Sequence, residues 1–322
     1  MPRVPYGKAA YQRSNGNFAE IRLVNMYVET TPVGRDGVAI VSRKGLSLSQ
    51  TAGTGPVTGV FCEPNVFSGD KFTVSGGTLY RNTTSIGAIV GSGPVSFAAG
   101  AADELAICAG GSIYRYNGTT LVAVTFPDSA NVTAITFHDG IYLAARALTH
   151  KWYWSAVLDA DTWAALDFAS AESRPDKLRD LAILGDALFL FGENTIEMWS
   201  NTGDPDAPYS RIEGRVTRQG VIATGCIVPL DNSLLFPGAD GMVYRLADTP
   251  QRISDHGIEE KIAQCSAASG TVSAFGFIDN GHSFYCLRLS AGAGIGTYVY
   301  DVSTQQWCEF ATHGRTNFAG RC

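Results

Sequence analysis

The chain has 322 residues, 45% hydrophobic and 11% aromatic but only 17% charged, with 36 glycines and a formal net charge of −6. A chain this long and this apolar buries a core, which excludes intrinsic disorder, and its acidic balance excludes bulk electrostatic attraction to nucleic acid or to an anionic membrane. High glycine with low charge favours short strands joined by tight turns, so an all-β fold is expected.

Residues 1–56 read as an N-terminal arm with lead-in strands, and residues 57–322 as the main domain. The opening MPRVPYGKAAYQ has no apolar run of the secretory kind, and Pro2 and Pro5 would interrupt one. Arg3, Lys8, Arg13, Arg22, Arg35, Arg43 and Lys44 outnumber Glu20, Glu29 and Asp36, a local balance of +4 that leaves −10 for the remainder. The extended, Pro- and Gly-containing start is a candidate partner-binding arm carrying Arg3, Lys8 and Arg13, of the charge that seeks an acidic neighbouring subunit.

From residue 57 onward a weak repeat organises the chain. Gly77-Thr78-Leu79-Tyr80-Arg81, Gly111-Ser112-Ile113-Tyr114-Arg115 and Gly241-Met242-Val243-Tyr244-Arg245 each read as a tight turn opening a strand, and Asn194–Trp199 and Gly296–Asp301 are related versions. Pairs of apolar strands precede these units, as in Val57–Phe61 with Lys71–Val74, and a fourth strand follows most of them, as in Ile86–Val90 or Gln306–Phe310. First-strand starts at Val57, Val95, Val132, Leu178, Ala223 and Ser273 are spaced by 38, 37, 46, 45 and 50 residues, the spacing of four-stranded propeller blades. The expected fold is a β-propeller of about six four-stranded blades. Ala144–Ala169 is irregular and reads as a place for an insertion, only Ile258–Ala263 looks helical, and Thr316–Gly320 resembles the opening of the second repeat, as if a further strand began there.

Signatures of chemistry are sparse. Leu181–Gly192, the most apolar stretch, is broken by Asp186 and falls far short of the ~20 residues of a membrane helix, so the chain reads as soluble. The seven cysteines form no CxxC pair and are expected as buried free thiols. The five histidines are scattered, with His282 and Cys286 the one pair placed to share a strand face. No GxSxG or GxxxxGK[ST] motif is present, and no Ser-x-Asp-x-Gly-x-x-Trp box of the sialidase type. Glu193 with Glu197 and Asp159 with Asp161 are the carboxylate pairs, more readily explained as turn and edge charges than as catalytic acids. Trp152-Tyr153-Trp154, with Trp163 and Phe168, would either fill a blade core or stack a sugar. No catalytic, metal or cofactor residue is assigned. A carbohydrate-binding adhesin propeller and a generic protein-interaction propeller both stand as readings of these residues.

Several stretches resemble the packaged-DNA stabilisation, or tail hub, family of P22-like short-tailed phages. They are Asn25-Met26-Tyr27-Val28-Glu29, Gly77–Arg81 leading to Gly91-Ser92-Gly93-Pro94-Val95-Ser96, and above all Ala171-Glu172-Ser173-Arg174-Pro175-Asp176 followed by Phe191–Glu197 and Asn201-Thr202-Gly203. Order and spacing agree along roughly residues 18–310, although typical members continue well past the position of Cys322. The resemblance implies a non-enzymatic virion tail protein, assembled in the host bacterial cytoplasm without cofactors. It implies a homo-hexameric ring below the portal-adaptor complex that helps seal the DNA exit channel after packaging. It also implies docking for a tail needle, fibre or spike, and enclosure of DNA without sequence-specific binding.

Overall fold

The computed structural model describes residues 22–30, 37–91, 93–100, 103–127, 131–174 and 176–320. A hairpin of β1 (Met26–Thr30) and β2 (Val38–Ser42) comes first. The first sheet is β3 (Val57–Phe61), β4 (Phe72–Ser75), β5 (Thr78–Arg81) and β6 (Thr84–Ala88), and the second is β7 (Val95–Ala99), β8 (Leu105–Ala109), β9 (Ser112–Tyr116) and β10 (Leu121–Ala123). The third is β11 (Val132–His138), β12 (Ile141–Arg146), β13 (Lys151–Trp154) and β14 (Phe168–Ser170), and the fourth β15 (Leu178–Leu184), β16 (Ala187–Gly192), β17 (Ile196–Asn201) and β18 (Tyr209–Thr217). The fifth contains β19 (Val228–Leu230), β20 (Ser233–Pro237), β21 (Val243–Leu246) and β22 (Pro250–Arg252), followed by helix α1 (His256–Ala267). The sixth contains β23 (Val272–Asp279), β24 (His282–Leu289), β25 (Gly296–Asp301) and β26 (Gln306–Glu309). Every sheet is an antiparallel meander in chain order, so the fold is all-β, a propeller of six four-stranded blades.

The chain divides into two compact units: residues 48–225 with the first four sheets, and the segment up to residue 47 with 226–320, which holds the hairpin and the last two sheets. Within each, the second strand of a sheet is the most buried. β4, β8, β16 and β20 are buried at every residue, which is why Leu105-Ala106-Ile107-Cys108-Ala109 and Ser233-Leu234-Leu235-Phe236-Pro237 read as continuous apolar runs without alternation. Outer strands such as β10 alternate or are exposed. The turns follow local chemistry: Asn280 and Gly281 adopt φ +52° and +84°, the left-handed pair that a two-residue hairpin turn needs.

Five of the six expected repeat starts lie within a residue of the observed strands. The fifth does not: Ala223 lies in a turn region and β19 begins at Val228, because 218–227 is a long connection. The irregular stretch Ala144–Ala169 resolves into β12, β13 and an ordered loop, 155–167, before β14. Residues 316–320 form no strand. Phe318 instead inserts into the apolar cluster of the last sheet beside Phe310, with Phe318 N donating to Thr297 Oγ1 at 3.1 Å. The short helix is longer than expected, and the Asp255 side chain caps it by accepting from Ile258 N at 2.9 Å.

Candidate interaction surfaces

The N-terminal hairpin docks on the edge of the last sheet. Val24 forms a parallel bridge with Glu309, with Asn25 N donating to Glu309 O at 2.7 Å and Glu309 N to Leu23 O at 2.8 Å. The Arg22 guanidinium takes the Glu309 carboxylate in a fork, at 3.0 and 2.7 Å. Asn25, at φ +58°, turns its side-chain oxygen to receive both Arg43 Nε (2.8 Å) and Ala311 N (2.9 Å). Arg43 also donates to Ala311 O and lies 4.8 Å over the Phe318 ring.

The hairpin carries one further clasp. His282, 4% exposed, has Nδ1 2.6 Å from Asp301 Oδ2 and Nε2 2.8 Å from Glu29 Oε2 on β1. Burial alone would lower its pKa, but the hydrogen bonds to Glu29 and Asp301 outweigh it and raise it, favouring an imidazolium that donates from both nitrogens. The sequence pairing of His282 with Cys286 thus gives way to a two-carboxylate setting, and among the described residues no cluster suited to a metal occurs. Nothing local signals this clasp, since Glu29 lies 253 residues away.

Within the stretches that carry the family resemblance, Asp176, Gly192 and Glu197 are folding devices. Asp176 accepts from Asn194 N at 2.9 Å, Thr195 N at 2.7 Å and Thr195 Oγ1 at 2.8 Å, tying the connection before β15 to the turn between β16 and β17. A Cβ on Gly192 would collide with the Asp176 carboxylate, so glycine is required beside it. Glu197, 1% exposed, accepts from Ser173 N at 2.8 Å and Trp199 Nε1 at 3.1 Å. The carboxylates have structural partners: Glu193 pairs with Arg179 at 3.2 Å, Asp159 accepts from Thr162 Oγ1 and Asp161 N, both at 2.7 Å, and the Asp161 side chain pairs with Arg115 at 3.3 Å. Trp152, Tyr153 and Trp163 are buried in the core and offer no stacking platform. Of the six described cysteines only Cys62 is exposed, and burial pushes the Cys108 thiol up to about 12. The arm residues Arg3, Lys8 and Arg13 lie outside the described residues.

In the four-sheet unit the two ends of the sheets differ in charge. The connections 62–71, 82–83, 100–104, 117–120, 139–140, 155–167, 185–186 and 202–208 share one end, and they hold eleven Asp and Glu against one base, Lys71. At the opposite end the described connecting residues carry three of each sign. The acidic end also presents Val157, Leu158 and Leu166, 71%, 53% and 85% exposed, on the loop 155–167. That loop is rigidly held: Ala156 N donates to Thr162 O, Leu158 N to Gly140 O, and Trp163 Nε1 to Ala160 O. Summing charge over alternate connections would have exposed this asymmetry, which a scan for catalytic motifs passes over.

The family model described as Bacteriophage P22 Gp10, beta-propeller, matches residues 2–318. The chain belongs to this phage family. A curated relative, the tail hub protein gp10 of Salmonella phage P22, is 27% identical over 278 residues, which cover 78% of this chain and 57% of the relative, so the chain spans little more than half of that protein's length. Among solved structures, BBS1N in complex with ARL6DN is similar at TM-score 0.52 and 11% identity over 83% of this chain and 84% of that one. The GH74 enzyme of Niastella koreensis is similar at TM-score 0.51 and 10% identity over 80% of this chain and 37% of that one. These two likenesses concern the P22 Gp10-type chain's fold alone.

Proposed function

We propose that this chain is a structural tail hub of a short-tailed phage, part of the virion. In this reading it assembles as a homo-hexameric ring beneath the portal-adaptor complex, extends and helps seal the DNA exit channel after packaging, and gives a tail needle, fibre or spike a place to dock. The observation that carries the reading is the family match across residues 2–318. Two physical features support it. With a formal net charge of −6, the protein does not grip the DNA that must later slide past it, whereas a basic channel would hold DNA in a salt-dependent way. Rigid meanders offer broad polar faces, and repetition around a symmetric portal makes individually weak contacts cumulative. No step of this role requires turnover.

Electron microscopy of the purified chain mixed with its phage's portal-adaptor complex tests the reading. End-on class averages are expected to gain density at the adaptor end with the rotational symmetry of the portal. Unbound single chains beside undecorated portal complexes would overturn it.

A further inference from the structure

We propose that the N-terminal hairpin is exchanged between neighbouring copies of this chain: the hairpin of one copy seats on the last sheet of the next, through the contacts described above. The proposal rests on the ring reading and names the two surfaces that would join one copy to another.

The seam has the make-up of an interface between two proteins. An isolated two-stranded hairpin is marginal in water, so β1 and β2 need a sheet to lie on. They meet the last sheet with two chemistries at once. Leu23, Tyr27 and Val28 enter an apolar cluster with Phe284, Val299 and Phe310. Beside it Arg22 and Lys44, which flank the hairpin, pair with Glu309 and Asp279 of the sheet at 2.7 and 2.9 Å, and only Glu29 reverses the polarity, at His282. Apolar contact joined to complementary charge is how separate chains recognise one another.

The second observation is the connector that leads from the hairpin to the first sheet. Residues 43–56 form neither helix nor strand, and among the described residues 45–54 make no hydrogen bond. Residues 44–49 are exposed at every position, with Leu46 and Leu48 at 59% and 85%. Of the thirteen exposed large apolar side chains among the described residues, five lie in this short stretch: Val24, Met26, Ile40, Leu46 and Leu48. On a connector that stays with its own chain these leucines are left in water, whereas one that crosses to a neighbour has a surface to lay them on. Fully extended, residues 45–56 reach about 40 Å, a span on the scale of a subunit.

The same contacts form whether hairpin and sheet belong to one chain or to two, so exchange costs little. It joins two unlike patches, the heterologous kind of contact that closes into a ring. Copies gathered on a symmetric portal hold each hairpin near the last sheet of the next, which raises the effective concentration of the exchanged partner.

Cross-linking between two full-length chains tests this. Both carry Cys62→Ser/Cys322→Ser, which removes the exposed thiol and the terminal one. One adds Val24→Cys and an affinity tag, and the other adds Glu309→Cys, the two positions that are bridged at the seam. The chains are co-expressed, assembled on the portal-adaptor complex and treated with a short bismaleimide. No single chain then holds both thiols, so a covalent product of tagged with untagged chain requires the hairpin of one at the last sheet of another. When neighbours mix at random, about a quarter of the seams are expected to yield it. Lys44→Cys with Asp279→Cys repeats the measurement at a second contact, so that loss of the Arg22–Glu309 fork does not decide the outcome. Decorated complexes that give no mixed product at either pair, while a chain carrying both Val24→Cys and Glu309→Cys cross-links only within itself, overturn the proposal and leave the tail-hub reading standing. Failure of the unaltered chain to decorate the complex removes the tail-hub reading, and with it the ring in which the exchange takes place.

Discussion

The seam between the N-terminal hairpin and the last sheet joins an apolar cluster, Leu23, Tyr27 and Val28 against Phe284, Val299 and Phe310, to a set of charged clasps, whereas the third and fourth sheets pack through rings and leucines. In the latter, Trp152 meets Trp199 and Tyr209 edge-on, with ring centroids 5.4 and 5.6 Å apart, inside a cluster that includes Leu178, Leu181, Leu188 and Leu190. At the seam charged contacts are added to the apolar cluster: Arg22 with Glu309, Lys44 with Asp279, and His282 between Glu29 and Asp301. The packed sheets are near neighbours in sequence, whereas the Arg22–Glu309 contact joins residues 287 apart. Apolar burial is non-directional and large, so it supplies global stability. Exposed ion pairs supply little energy but fix geometry, and they answer to pH and salt. The molecule thus has one region whose stability is set by volume and another in which charged clasps, laid over an apolar cluster, make the attachment adjustable.

The comparison breaks most visibly at Trp152, which is fully buried. Trp152→Ala is expected to destabilise the protein by about 3–5 kcal/mol in urea unfolding, the cost of lost transfer energy plus a cavity. Trp152→Phe should cost far less, because the buried Trp152 Nε1 has no hydrogen-bond partner to lose. An alanine variant within about 1 kcal/mol of the parent would show that this packing does not set stability.

The polar knot in the same region comes next. Asp176→Ala orphans the buried amide of Thr195 and the amide of Asn194, and is expected to cost about 2–3 kcal/mol. The two amides should then exchange with solvent faster than those of β16. Unchanged protection at Thr195 would mean that the turn holds without the carboxylate.

How much of this was legible in the sequence follows the same division. Repeats such as Gly77–Arg81 and Gly241–Arg245 announce strands because turn and alternation are local, and Trp152 and Trp154 show core spacing on their own strand. The fifth repeat start was misplaced because Ala223 lies between the apolar pairs Val221-Ile222 and Ile227-Val228, yet the backbone there is a connection, with Gly225 N donating to Asp180 at 2.8 Å. Thr316–Gly320 looked like a new strand because Phe318 copies Phe97, but Arg43 and Phe310 capture that ring first. The hairpin clasp was invisible because it joins residues from the two ends of the chain, and no periodicity reports a pairing of that range. The acidic end was visible residue by residue and escaped notice because its carboxylates are spread over eight connections.

Arg43 sharpens the comparison on the seam side. Arg43→Ala removes bonds to Asn25 and Ala311 and the stacking on Phe318, and a global loss of only about 1–2 kcal/mol is expected. Its local effect should be larger: residues 311–320 become cleavable in limited proteolysis while the first four sheets stay resistant. Simultaneous loss of both would show that the seam and the packed sheets unfold as one.

The smallest expected effects are in pH, and they separate the two regions by window. His282 has a folded pKa raised above its ordinary 6.5 by Glu29 and Asp301 against the opposing effect of burial, so folding takes up a proton there. The stabilisation is fully present below about 6.5 and is lost as pH rises through the folded value. The other groups facing that ring bear on the same window: Glu29 and Tyr27 from β1, Asp301 from β25, and Asp279 at the cross-strand position, itself held by Lys44 at 2.9 Å. In the four-sheet unit, buried Asp180 is pushed up to about 6 by desolvation, against the hydrogen bonds from Gly225 and Leu181. Its contribution is fully present below its ordinary 3.8 and is lost as pH rises through about 6. Amide exchange at Tyr27 and Val28 should therefore quicken above neutral pH, an effect that His282→Gln flattens. Exchange at Leu181 and Gly225 should respond in the acidic window, and Asp180→Asn should flatten that response instead. If either substitution flattened both windows, the hairpin seam and the four-sheet unit would be one cooperative body, and the contrast between a packed region and an adjustable one would fail.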